Sequence, residues 1–159
     1  MMRQDAIPGP DLKRRRLLAG SAALGMAVLT RPAGAAPDQL EAAIREWTGG
    51  AAPTPGRVSF DIATLVDNGN AVPVTVSVDS PMTAADHVTA IAIFNQRNPQ
   101  RDVARFTLGP RAGRASVSTR IRLATSQKLT AVARMSDGST WSHTVDVVVT
   151  LAACIEGEA

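Results

Sequence analysis

Val72-Pro73-Val74-Thr75-Val76-Ser77-Val78-Asp79 alternates strictly between valine and a polar or proline residue. A period of two puts the four valines on one face of a strand and the other residues on the opposite face. Pro73 has no N–H to give a ladder, which predicts an edge strand or a strand's opening residue. The same period extends outward from this stretch. Upstream, Val58, Phe60 and Ile62 alternate with polar residues. Downstream, residues 87–94 are apolar on both faces and predict a central strand, and 103–108 predict a short one. Val117, Thr119, Ile121 and Leu123 then point inward between Ser116, Ser118, Arg120 and Arg122. Leu129, Ala131, Ala133 and Met135 form the next inward row, and Trp141, His143, Val145, Val147, Val149 and Leu151 the last. Turn signals fall between these rows, at Asp67-Asn68-Gly69-Asn70, Ser80-Pro81, Asn98-Pro99, Gly109-Pro110 and Ser136-Asp137-Gly138-Ser139. About seven short strands with few intervening helices define an all-β class, and the best match is an immunoglobulin-like antiparallel β-sandwich. The Cys–Trp–Cys core of such domains is absent, so the sandwich holds without a disulfide.

One helix precedes the strands. Leu40, Ala43, Ile44 and Trp47 recur at helical spacing over residues 38–48, Asp38 with Glu41 resembles a capping box, and Gly49-Gly50 ends the run. This helix is expected to cover one end or edge of the sandwich. Residues 51–56, with two prolines, read as a linker, so the N-terminal helix and linker occupy 36–56 and the sandwich 57–151.

The first 35 residues have the three parts of an export signal: a polar opening ending in Lys13-Arg14-Arg15-Arg16, an apolar run over 17–29, and the small residues Ala33-Gly34-Ala35. The apolar run is shorter than the roughly 20 residues of a membrane span. Arg14-Arg15 followed one residue later by Leu17-Leu18 fits the twin-arginine pattern, and an ordinary Sec signal is the alternative. Both predict a periplasmic mature chain with no membrane segment. The leader carries six of the 17 Lys/Arg and two of the 14 Asp/Glu, so the high isoelectric point belongs to it. The mature chain is slightly acidic overall, which argues against a nucleic-acid partner.

Little in the strands suggests catalysis. His87 and His143 are far apart and lack the spacing of a zinc site, so both read as structural, and no metal is expected. No glycine-rich loop opens a helix after a strand, so no nucleotide cofactor is expected. Asp79 and Asp86 flank a Ser-Pro turn and read as turn-shaping. Arg111, Arg114, Arg120 and Arg122 read as a solvated strand face. A cysteine hydrolase would need an imidazole and an oxyanion hole held around the thiol, which a chain terminus holds poorly. No catalytic residue is therefore assigned.

Cys154 is the chain's single cysteine, in a protein marked for export, where cysteines normally pair. Two readings are open on spacing alone. If the last strand ends at Leu151, residues 152–154 form an arm reaching about 10 Å beyond the fold, and Cys154 is a reactive handle on the tail 152–159. If the strand continues, Ala153 and Ile155 extend the inward face and Cys154 is a small apolar residue on the other.

Several stretches resemble the SoxY family, the sulfur-carrier subunits of bacterial Sox thiosulfate oxidation. They are Ala71-Val72-Pro73-Val74-Thr75-Val76-Ser77-Val78-Asp79-Ser80-Pro81-Met82, Ser118-Thr119-Arg120-Ile121-Arg122-Leu123-Ala124 and Met135-Ser136-Asp137-Gly138-Ser139-Thr140-Trp141, with the helix ending Thr48-Gly49-Gly50 and the twin-arginine leader. The resemblance implies a non-catalytic periplasmic carrier of immunoglobulin-like fold, without cofactor, that bears thiosulfate-oxidation intermediates covalently on Cys154. It implies a heterodimer with a SoxZ-like subunit. It also implies transient visits to a c-type cytochrome, a sulfate-releasing hydrolase and a sulfane dehydrogenase. The alternative is a diverged module that keeps the partner surface and has lost carriage. Where the family has Gly-Gly-Cys-Gly-Gly, this chain has Ala152-Ala153-Cys154-Ile155-Glu156. Alanine narrows the backbone's freedom and Ile155 adds bulk beside the thiol.

Overall fold

A computed structural model describes residues 38–153; residues 1–37, which include the expected leader, and residues 154–159, which include Cys154, lie outside the described residues. Nine strands and one helix follow in order: α1 (Gln39–Thr48), β1 (Thr54–Pro55), β2 (Val58–Asp61), β3 (Leu65–Asn68), β4 (Val72–Val78), β5 (Val88–Asn95), β6 (Asp102–Thr107), β7 (Ser116–Ile121), β8 (Gln127–Met135) and β9 (Thr140–Leu151). A single 3-10 turn, Pro110–Ala112, lies between β6 and β7. The larger sheet has the order β1-β9-β8-β5-β6 with β3 added to β9, and the smaller one runs β2-β4-β7.

The sandwich follows from the period-two rows. Val72, Val74, Val76 and Val78 of β4 are all buried and meet Ile91, Ile93, Leu129, Ala131, Ala133 and Val147 of the facing sheet. Complete burial of each such side chain is worth roughly 1.5–3 kcal/mol over leaving it in water. Hydroxyl pairs stand on the opposite face, Thr75 with Ser118 at 2.9 Å and Ser77 with Ser116 at 3.0 Å. The immunoglobulin-like reading holds, with the strand count raised to nine by two short strands.

Four local expectations change. β4 is the middle strand of its sheet, not an edge. Pro73 is tolerated because β2 pairs only with Thr75 to Val78, which leaves Pro73 opposite Arg120 of β7 alone. The linker 51–56 contains β1, and the turn signal at Asp67-Asn68 closes β3; both strands pair with β9 in parallel. The helix does not cover an end of the sandwich. It lies on the outer face of the larger sheet, where Leu40 and Ile44 pack with Ala92, Phe94 and Val132. These three belong to the outward rows of β5 and β8, and their apolar character makes those strands hydrophobic on both faces. Finally, His143 does not join the core: it is exposed, and its Nδ1 accepts the Phe60 N–H at 3.0 Å, linking the two sheets at that edge. An accepting Nδ1 places the ring proton on Nε2.

α1 is defined at both ends by its own sequence. Asp38 accepts the Leu40 N–H at 3.1 Å, and Gly49 takes a left-handed φ of 83° while the Gly50 N–H returns to the Arg45 carbonyl at 2.7 Å. The guanidinium of Arg134 lies 4.3 Å from the Trp47 ring centroid and donates to the Trp47 carbonyl, and Trp47 meets Phe94 edge-on at 6.2 Å.

Candidate functional site

β9 is the strand that leads to Cys154, and its last third is held differently from its first two. Up to Val147 it pairs with β8. Val147 lies opposite Gln127, the first residue of β8, and beyond it Val148 to Leu151 pair with β3. The strand ends at Leu151, as the carrier reading requires. The arm does not become free there. Ala153 is buried, and its N–H donates to the Leu123 carbonyl at 3.1 Å. Any free arm therefore starts at residue 154, not 152, and the reach reckoned from Leu151 is shortened by the two anchored residues.

Three chain segments converge at this root. The Leu123 N–H donates to the Gly69 carbonyl at 2.8 Å, and the Gly69 N–H to the Leu151 carbonyl at 2.8 Å. Gly69 therefore lies against both the segment after β7 and the end of β9. A Cβ at that position would stand 2.3 Å from the Leu123 oxygen and 3.1 Å from the Ala153 nitrogen. Only glycine permits so close an approach.

A network of amides, buried at Asn95 and Gln127 and half-buried at Asn98, braces Leu123 from behind. Asn98 Oδ1 accepts from the Ala124 N–H at 3.0 Å and Gln127 Nε2 at 2.7 Å, while its Nδ2 donates to the Arg122 carbonyl at 2.7 Å. Asn95, fully buried at the end of β5, accepts the Asn98 N–H at 2.9 Å and donates to the Gln100 carbonyl at 2.7 Å. Gln127 Oε1 takes the Arg97 N–H at 2.8 Å. Buried amides satisfied in this way are costly to disrupt, so the loop 96–101 fixes residues 122–124 and through them the root of the tail.

Beside the root are three large apolar side chains open to solvent: Leu65 and Val148, register partners on the outer face of β3 and β9, and Leu151 at the strand's end. The sequence marks Gly69 and Asn98 as turn residues and Leu123 and, in one reading, Ala153 as inward-facing, but spacing does not show that the four meet. A usable signal was present in Asn95, Asn98 and Gln127, amides placed where strands that are otherwise apolar begin and end. Cys154 itself, with Ile155, Glu156 and Glu158, lies outside the described residues. His87, just before β5, holds Nδ1 3.0 Å from the Thr83 carbonyl, far in the chain from the root. Among the described residues no three His, Cys, Asp or Glu side chains gather as a metal site, and no helix is long and apolar enough to cross a membrane.

The described residues thus form a two-sheet sandwich whose chain is held by backbone bonds as far as Ala153, the residue before the single cysteine. The family model for sulfur oxidation protein SoxY matches residues 44–154, ending on that cysteine, and the chain belongs to the SoxY family. Among solved structures it is similar to the sulfur carrier protein SoxY from Chlorobium limicola f thiosulfatophilum, at 29% identity over 73% of this chain and 100% of that one, with a TM-score of 0.60. It is also similar to the superoxide reductase (neelaredoxin) of Ignicoccus hospitalis (19% identity, 59% of this chain and 80% of that one, TM-score 0.53). The superoxide reductase of Nanoarchaeum equitans is a further likeness (12%, 60% and 100%, TM-score 0.52). At such identities these two show the fold alone. No curated protein sequence matches the chain.

Proposed function

We propose that this protein is a periplasmic sulfur carrier that binds thiosulfate-oxidation intermediates covalently on Cys154 and has no catalytic group of its own. The observation that carries the reading is the clasp: backbone bonds to Leu123 and Gly69 hold the chain rigidly as far as Ala153, so the last residue before the thiol has a defined position. A carrier needs that combination of a fixed root and a terminal nucleophile, because the arm must enter another protein's site in one orientation.

In the loading step the Cys154 thiolate forms a sulfur–sulfur bond to the outer sulfur of thiosulfate. The thiol proton passes to solvent, and the two electrons released pass to a c-type cytochrome partner. A sulfate-releasing hydrolase and a sulfane dehydrogenase then receive the loaded arm in turn. A SoxZ-like subunit completes a heterodimer, and the exposed Leu65, Val148 and Leu151 supply apolar area for it to cover.

The test is mass spectrometry of the mature protein after incubation with thiosulfate and its oxidising partners. A mass gain confined to the C-terminal peptide, and lost in Cys154→Ser, is expected. An unmodified wild-type protein under loading conditions would count against carriage and favour the module that keeps only a partner surface.

A further inference from the structure

The mature chain is slightly acidic, yet its charges are sharply segregated. Residues 96–134 hold nine of the 17 Lys/Arg and a single acid, Asp102. From residue 36 on, everything outside that stretch holds two basic and eleven acidic residues. Asp102 is already paired with Arg105.

Two members of this excess, Arg120 and Arg122, line a cleft between the two sheets. β6 and β7 are the outer strands of the two sheets, each paired on one side only among the described residues. They border a common cleft of about 440 Å³, lined by Asp102, Val103 and Ala104 from one and Thr119, Arg120 and Ile121 from the other. Arg120 and Arg122 line it, and Arg97, Arg105, Arg111 and Arg114, from the same stretch of chain, are exposed as they are. Charges on edge strands also discourage pairing between sheets of different molecules. That purpose accounts for Arg105 and Arg120. It does not account for Arg97, Arg111 and Arg114, which stand in the connections before β6 and between β6 and β7.

We propose that the β6–β7 flank is a docking surface for the acidic face of an enzyme that visits the arm. The occupant is a protein surface of opposite charge, because guanidinium forks match carboxylates and steer encounter over long range. A flank this polar suits a transient visitor more than a permanent subunit, whose interface would be more apolar. Its position relative to the tail supports the same assignment. Arg122 adjoins Leu123, the residue whose carbonyl holds Ala153, so a protein seated on the flank lies at the root of the arm. Aromatic side chains for stacking bases are lacking among these arginines, which argues against single-stranded nucleic acid.

The inference rests on the carrier reading for the enzyme's identity but not for the surface itself, so two measurements separate them. In the first, the association rate of the mature protein with the enzyme that loads Cys154 is followed at low and high salt. Arg120→Glu with Arg122→Glu should slow it about tenfold at low salt and little at high salt, and Arg111→Glu with Arg114→Glu should act in the same direction. Arg45→Glu, on α1, should leave it unchanged. Flank variants that match the wild type, or an equal loss in Arg45→Glu, would overturn the proposal. In the second, the isotope-labelled mature protein is titrated with a hexaglutamate peptide, and amide shifts are expected to concentrate in residues 97–122. Shifts spread over the whole surface, or tighter binding of a short single-stranded DNA than of the peptide, would also overturn it. If no enzyme loads the wild-type cysteine, the carrier reading falls and the peptide footprint still decides the flank.

Discussion

Gly69 shows how much one missing carbon can determine. Its turn brings the carbonyl of Leu123 and the amide of Ala153 into the space that a side chain would fill. Gly69→Ala must therefore push apart the three segments that form the clasp, because both near atoms are backbone and neither can swing aside. A loss of about 1–3 kcal/mol of stability is expected, as for other overpacked sites, measured by urea unfolding. The more telling readout is hydrogen exchange at the Ala153 amide, which should speed up in the variant well beyond the rest of β9. Unchanged protection there would show that the clasp does not depend on the glycine. Residues Asn95 and Asn98 carry the same lesson in polar form, since a turn-forming asparagine and a network-forming one look alike until their partners are known.

Among the elements, α1 and β9 are each defined by what they meet. The apolar stripe of α1 is plain in its sequence, and so are its caps. Its location is not, because the outward faces of β5 and β8 reveal themselves as a second packing surface only through Ala92, Phe94 and Val132. Ile44 is the deepest link between them after Leu40. Ile44→Ala should cost about 2–3 kcal/mol in unfolding free energy, at the lower end of the core range because the helix can settle inward. Loading of Cys154 should survive in the folded variant, since the helix lies on the outer face and the clasp does not involve it. β9 reads as one uniform row of alternating residues, yet it pairs first with β1 and β8 and then with β3. The change of partner rather than any change of period marks where the tail's support begins.

For the molecule as a whole, the charge of the complete chain misleads in two ways. Residues 1–35 hold the basic excess behind the high isoelectric point, and the near balance of the remainder hides an arginine-rich stretch, residues 96–134, set against an acidic rest. Twin-arginine routing carries folded proteins, and Arg14-Arg15 with Leu17-Leu18 are the residues that fit its pattern. Replacing both arginines by lysine should leave precursor in the cytoplasm and little mature protein outside it, as seen by fractionation and immunoblotting. Normal export of that variant would instead assign the leader to the Sec route.

Period-two valines, turn dipeptides and a capped amphipathic stripe are local features, and although spacing left open whether the last strand ends at Leu151, the class of fold and the single helix could be read from the order of residues. The position of the helix, the interior place of β4 despite Pro73, the two parallel strands on β9 and the clasp of Gly69, Leu123 and Ala153 could not. Each of these depends on backbone groups distant in the chain finding one another, and hydrogen bonds between backbone atoms leave almost no trace in side-chain pattern. Cys154 is set apart in the chain as its single cysteine, whereas the backbone bonds that hold Ala153, the residue before it, are a property of packing.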